Sequence, residues 1–409
     1  MERLNKFIDH LHLKYKRIPI YLIGFLVFLM AFQQLPVIRD TYYDELRLIL
    51  YILFGFSTLY SLINLKVLFA FKFFKLFSII FLYAVILSVI IYIIGGDLLP
   101  MLLLIVPIGI LIISLSNQYN QKDLLILLWL FSLSNIIMGL INIFYYGEGF
   151  DITRSYLVPE KNQIGPMIGY SILVFLYFVN YYKPIFIKVI SLGLSVFSLL
   201  ILLAVRNRSA IVGVSLMIVF IVIYLIYLGI KKLLQNNKKE VLITFGVFVV
   251  VMVIGLQLEV IQALLERIWL SITYNRVITD LNSLSSGRYQ LILDSFMWIE
   301  TYPLFGFIGV DTLPISEYTH VYVLHTLMQY GILGSIPFLL FYVLLILVTL
   351  RILIRIDKEP INLLIFMIFS VSLIISVLEY SYPYGPGVSQ FILWFVLGQY
   401  MYRNQDHAT

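Results

Sequence analysis

The chain has 409 residues, of which 61% are hydrophobic and only 12% charged, with a formal net charge of +6 and a mean hydropathy of +0.99. An ordinary soluble domain carries about 45–50% apolar and about 25% charged residues, so a soluble globule is excluded. Disorder, which needs low hydrophobicity and high net charge, is excluded with it. What remains is a chain solvated mainly by lipid, read as one integral membrane domain over 1–409 with an all-α polytopic fold.

Basic residues precede the first apolar run: Arg3, Lys6, Lys14, Lys16 and Arg17. The run Ile18–Ile38 is too long for the apolar core of a signal peptide, and no small-residue cleavage site follows it. It predicts an uncleaved first span with a cytoplasmic N-terminus. Further spans are predicted at Leu46–Asn64, Phe73–Ile94, Leu98–Ser116, Leu124–Tyr146, Gln163–Tyr181, Ile185–Val205 and Ser209–Ile230. Val241–Glu259, Val321–Leu350, Ile361–Glu379 and Val388–Tyr402 complete a set of twelve, which returns the C-terminus to the cytoplasm. Of the 28 Lys and Arg residues, 19 then fall inside and 9 outside, as the positive-inside rule requires. The weakest pair is Phe73–Ile94 and Leu98–Ser116, joined by a Gly-Gly-Asp hairpin, and missing one span would invert the orientation.

One outer segment, 260–319, is far longer than the other loops. Loops of that length are functional or disordered, and its aromatic residues (Trp269, Tyr274, Tyr289, Phe296, Trp298) argue against disorder. Within it Ser286–Thr301 predicts a short helix, with Tyr289, Ile292, Phe296 and Ile299 on one face, lying along the membrane interface.

The absence of cysteine removes disulfides, zinc–thiolate sites and thiol nucleophiles. The five histidines lack the spacing of a metal-binding helix. Basic residues sit mostly in short loops, so the net charge points to topology and not to nucleic acid. No Ser-x-x-Lys, Gly-x-Ser-x-Gly or Walker motif is present, and the loop acids Asp294, Glu300, Asp311 and Glu317 declare no pair.

Outer arginines run against the charge trend. Arg206 and Arg208 form a hairpin between two apolar runs, where guanidinium forks fit phosphate oxygens or snorkel to headgroups. Arg288 stands at the start of the interfacial helix, whose N-terminus is itself a weak anion site; a solvated loop arginine is the other reading. His320 and His325 open the tenth span. His320, at the membrane edge, suits general-base chemistry or a structural role. His325 lies about 140° further round an ideal helix and reads as a packed histidine. Lys161 and Asn162 end an outer loop, where Asn162 also reads as a simple helix cap. Glu379 borders Tyr380, Tyr382 and Tyr384, which read as an interfacial tyrosine belt or as carbohydrate-facing aromatics.

In order and placement these segments resemble the O-antigen polymerase and O-antigen ligase family of bacterial polysaccharide assembly. Asn207-Arg208-Ser209-Ala210 resembles the family's Ser-Arg-Gly-Ala, with Asn for Ser and Ser for Gly. Gly287-Arg288, Trp298 and Pro303-Leu304-Phe305-Gly306-Phe307-Ile308-Gly309 resemble its Arg-led loop helix and Pro-Leu-x-Gly-x-Gly turn, with one extra residue between the glycines. His320-Val321-Tyr322-Val323-Leu324 and Gly331-Ile332-Leu333-Gly334 resemble its His-Asn-x-Tyr-Leu and Gly-Leu-x-Gly, with Val321 for Asn. Lys161-Asn162-Gln163-Ile164-Gly165 resembles an Asn-x-x-Gly element. The likeness covers about Pro159 to Ser335, less than half of the chain.

The resemblance implies a GT-C-like, metal-independent, inverting glycosyltransferase without cofactor in the bacterial cytoplasmic membrane, its active site on the outer face. It selects His320, Arg288 and Arg208 as catalytic, with Arg206, Asn162 and Lys161 holding the diphosphate and glycan. The substrate implied is an undecaprenyl-diphosphate-linked oligosaccharide, and the partners a chain-length regulator and a flippase. Polymerisation of repeat units is the first expectation. Ligation of the finished glycan to lipid A–core or another acceptor is the second. A flippase or other transporter is the third, though its charged groups belong at mid-membrane rather than at the outer rim.

Overall fold

The computed structural model describes residues 18–62, 72–93, 99–116, 119–147, 149–150, 158–236, 259–273, 279–285, 287–307, 319–384 and 388–404. All regular structure among them is helical. In chain order the helices are α1 (Ile18–Phe32), α2 (Pro36–Thr41), α3 (Tyr43–Leu62), α4 (Lys72–Ile93), α5 (Leu99–Ser116), α6 (Gln121–Tyr146), α7 (Lys161–Tyr181) and α8 (Ile185–Val205). Then follow α9 (Arg208–Asn236), α10 (Glu259–Thr273), α11 (Leu281–Ser285), α12 (Arg288–Thr301), α13 (Tyr322–Ile354), α14 (Pro360–Leu378) and α15 (Val388–Arg403). Six of these, α3, α6, α7, α8, α13 and α14, are long and apolar enough to cross a membrane. Eleven of the twelve predicted apolar runs are largely helical; the ninth, Val241–Glu259, lies outside the described residues apart from Glu259, which opens α10.

The first run is not one helix. It breaks at Gln33–Leu35, because Pro36 has no N–H to continue the ladder and instead sits in the first turn of α2. The Gln34 carbonyl at the break accepts from Asn142 Nδ2 of α6 at 2.9 Å. Two of the outer-placed arginines are bound locally here. Arg39 stacks on the Tyr146 ring at 5.0 Å and pairs with Asp40 at 3.0 Å, while Arg47 stacks on Tyr43 at 5.6 Å and pairs with Asp44 at 3.2 Å.

The centre of the bundle is α7, which packs against α6, α8, α9, α14 and α15. Lipid tails are as apolar as leucine, so helices associate through close packing and polar bonds rather than hydrophobicity. Both devices are present. Asn135 of α6 donates to Met167 O and Ser171 Oγ of α7 at 3.1 and 3.2 Å. Gln399 of α15 donates to Ser114 O of α5 at 2.6 Å, beside Gly398. An aromatic cluster of Phe77, Phe341, Tyr384 and Trp394 joins α4, α13 and α15 to the turn after α14.

Among the described residues of the long loop three helices, α10, α11 and α12, fall within it or at its edge. The predicted helix starts at Arg288, two residues later than Ser286, after Gly287 in the left-handed conformation (φ 86°). It packs against α11 and α13. Ile292 and Ile299 of its apolar face are half-buried, while Tyr289 and Phe296 remain exposed.

Candidate functional site

Several helix ends meet at one rim of the bundle. Their hub is Glu379, the residue that ends α14, which is only 3% exposed. A buried carboxylate persists only when paired and hydrogen-bonded. This one also stands at the negative pole of the α14 dipole, which opposes an acid there. Arg288, from the first turn of α12, offsets both terms. Its Nη1 donates to Leu378 O at 2.6 Å and its Nη2 donates to Glu379 Oε1 at 3.1 Å. On the other oxygen, Asn162 Nδ2 donates to Glu379 Oε2 at 3.1 Å, from the first turn of α7 and its positive dipole end. His320 completes the ring, with Nδ1 3.6 Å from Oε2, longer than a hydrogen bond.

A second residue extends this network. Asn207 donates from Nδ2 to Asn162 Oδ1 at 3.0 Å. Its own Oδ1 accepts from the Ala210 N–H at 2.8 Å and from Ser209 Oγ at 2.9 Å, which makes it the N-cap of α9. The approach needs Gly165, because a Cβ there would lie 2.3 Å from Asn207 Cβ. The Lys161–Gly165 and Asn207–Ala210 segments, far apart in the sequence, therefore meet as one unit. Arg206 and Arg208 flank Asn207, two hydrogen bonds from Glu379. Arg206 ends α8 in the left-handed conformation (φ 58°) and is buried, while Arg208 opens α9 half-buried. Lys161 precedes Asn162 in the first turn of α7.

The loop and α13 are locked together by a backbone crossing. α13 kinks at Gly331 (φ 64°, ψ −173°), a conformation that glycine adopts without penalty. Into the kink runs the turn Pro303–Phe307, with Phe307 N–H donating to Met328 O, Ile332 N–H to Pro303 O and Leu333 N–H to Leu304 O, at 2.8 to 3.1 Å. A Cβ on Gly306 would sit 2.4 Å from Met328 O, and one on Gly331 2.3 Å from the Leu304 carbonyl carbon. The two glycine motifs are thus two sides of one contact. It fixes the segment that follows α12, which carries Arg288, against the helix that follows His320. The other loop glycine, Gly309, lies outside the described residues.

Four expectations need correction. Asn162 does not cap α7: Glu160 occupies that position without a side-chain cap bond, and the Asn162 side chain reaches across to Glu379. The α12 N-terminus is not an open anion site, because the Tyr289 N–H donates to Ser285 Oγ at 3.0 Å and the Gln290 N–H to Asn282 Oδ1 at 3.3 Å. The two histidines are not on unrelated faces. α13 begins only at Tyr322, so ideal helical angles do not relate them, and both rings face Tyr380, at centroid distances of 6.1 Å for His320 and 4.4 Å for His325. His325 is buried, as a packed histidine should be. The tyrosine turn is not a belt either: Tyr382 and Tyr384 are buried, and burial pushes both phenols well above their ordinary range. Tyr380 alone of the three is exposed, at 42%.

Glu379 and Asn207 are the residues that sequence reasoning undervalued. The signal for Glu379 was an acid ending an apolar run, which is costly unless it has a partner and so marks a functional position. No protein-family model matches the chain, and no curated protein matches it.

Proposed function

We propose that the protein is a membrane glycosyltransferase that polymerises polyprenyl-diphosphate-linked oligosaccharide repeat units at the outer face of the bacterial cytoplasmic membrane. The observation that carries this reading is the convergence of Arg288, His320 and Asn162, from three distant segments, on one buried carboxylate at one rim. The acceptor hydroxyl attacks the anomeric carbon of the donor glycan. The bond from that carbon to the diphosphate oxygen breaks, its electron pair leaves with the diphosphate, and the anomeric centre inverts. His320 takes the hydroxyl proton on Nε2, since Nδ1 faces Glu379. Arg288 and Arg208, with Arg206 and Lys161, hold the charge that develops on the leaving diphosphate in a water-poor setting, where such stabilisation is largest. Asn162 orients the donor from the α7 end.

A groove beside the rim supports a lipid-linked donor. It offers about 180 Å³ between α1, α3, α5 and α15, with Leu26, Met30, Leu50, Phe54, Val106 and Phe391 on its apolar part and Gln33, Gln34, Tyr43 and Arg47 on its polar part, and it reaches Gln163, next to Asn162. Its apolar part would take isoprene units and its polar part, with Arg47, the region nearest the diphosphate.

The test is complementation of a gene deletion with Arg208→Ala, Arg288→Ala and His320→Ala, reading surface-glycan length on gels. Single repeats in place of polymer support polymerisation. Long polymer that stays unattached supports ligation. Full activity in all three variants overturns the mechanism.

A further inference from the structure

The donor reading leaves one difficulty, and its solution assigns a role to Glu379. Arg288, the cation meant for the diphosphate, already holds a carboxylate at 3.1 Å. That carboxylate is 3% exposed, and it takes the Asn162 amide and the flank of His320 as well. In charge and position it occupies the seat that a phosphate oxygen would take: one arginine N–H, one amide donor and the positive end of α7. We propose that Glu379 is a resident stand-in for the anion, displaced from Arg288 when the donor diphosphate binds. This rests on the donor reading above.

The exchange has a chemical consequence. While Arg288 holds Glu379, the carboxylate is neutralised and gives little support to a proton on His320. Once the diphosphate takes Arg288, the uncompensated carboxylate closes on His320 Nδ1, 3.6 Å away, and stabilises the imidazolium that forms as the acceptor hydroxyl is deprotonated. No bond to carbon is made or broken in the exchange itself. The base is thereby armed only after the donor is seated, which restrains the site from activating water in its absence. Glu379 is a positioning residue in this scheme, because it acts through Arg288 and His320.

The scheme predicts opposite effects on binding and turnover. Glu379→Gln keeps the shape and the amide contact but removes the competing charge. Binding of inorganic pyrophosphate to the full chain in lipid nanodiscs, by titration calorimetry at fixed ionic strength, is expected to tighten about 5- to 10-fold, since a buried rival ion pair is gone. Polymer formation by the same variant is expected to fall about 100-fold, the usual cost of losing base support. A purely structural glutamate would weaken both. Pyrophosphate binding equal to or weaker than wild type in Glu379→Gln, with an unchanged melting temperature, overturns the exchange. If that variant melts early, Glu379→Asp decides instead: its shorter arm loosens the grip on Arg288, so about 2- to 3-fold tighter pyrophosphate is expected, and no gain overturns the exchange. Arg288→Ala separates the two proposals. Wild-type pyrophosphate affinity in Arg288→Ala overturns the donor reading and the exchange with it, whereas a loss there without a gain in the Glu379 variants overturns the exchange alone.

Discussion

α7 and α8 are neighbours of equal length, 21 residues each, packed against one another, yet they live in different solvents. α8 is the more apolar, but only 28% of its membrane-length stretch is buried, against 78% for α7. Ile185, Phe186, Val189, Leu192 and Val196 of α8 are exposed, the expected state of side chains that face lipid. α7 carries Asn162, Gln163, Tyr170 and Ser171, and each has a protein partner: Glu379, Gln34, Ser372 and Asn135. In a bilayer the apolar face has no reason to point inward, so polar groups and small residues decide which helix is central. α7, the better supplied of the two, presents its end to the site.

The strongest way to break this comparison is at that end. Glu379→Ala strips Arg288 of its ion partner and Asn162 of its acceptor, leaving two half-buried donors short of a partner. Destabilisation of about 2–4 kcal/mol is expected, because two donors lose their acceptor at about 1–3 kcal/mol each and Arg288, partly exposed, recovers some of it from solvent. Thermal unfolding in nanodiscs checks it, and an unchanged midpoint would mean that the rim is not closed as described.

Glycines give a paired test of next largest effect. Gly165→Ala in α7 would place a Cβ 2.3 Å from Asn207 Cβ, whereas Gly193→Ala in α8 meets nothing within 4 Å. The first is expected to cost about 1–3 kcal/mol, as overpacking does, and to part Asn207 from Asn162, with loss of polymer under the proposed function. The second removes a flexible residue from a helix and is expected to be neutral or stabilising by up to about 1 kcal/mol. Equal effects at the two positions would deny that one helix is central and the other peripheral.

Much of this architecture was legible in advance, for a physical reason that also marks where legibility ended. Apolar runs announce helices whatever they pack against, so the bounds of Ile185–Val205 are the same in sequence and structure. Hydropathy alone does not say which helix is buried: the amides, hydroxyls and glycines of α7 differ from α8 in the sequence, but their partners on other helices do not show there. Arg288, His320 and Asn162 were singled out because charge and amide groups are scarce at an outer rim, and scarcity is a local property. Glu379 reads in the sequence only as a weaker candidate beside the tyrosines, because its role depends on partners 59 to 217 positions away, which no local pattern contains. The break at Gln33–Leu35 was hidden in the same way: Pro36 was visible, but the Asn142 that satisfies the freed carbonyl was not.

The smallest predicted effect probes the middle of α7, away from the site. Ser171→Ala removes the hydroxyl that accepts from Asn135 Nδ2 at 3.2 Å, but Asn135 keeps its bond to Met167 O at 3.1 Å. A single interhelical hydrogen bond in a membrane protein is worth about 0.6 kcal/mol on average, so a loss of that order is expected, with polymer length unchanged. Asn135→Leu, which removes both bonds, is expected to cost more than Ser171→Ala. Were Ser171→Ala to shorten the polymer instead, mid-helix packing would be setting the position of Asn162 at the α7 end, and the rim would be tuned from within the bundle rather than by Arg288 and Glu379 alone.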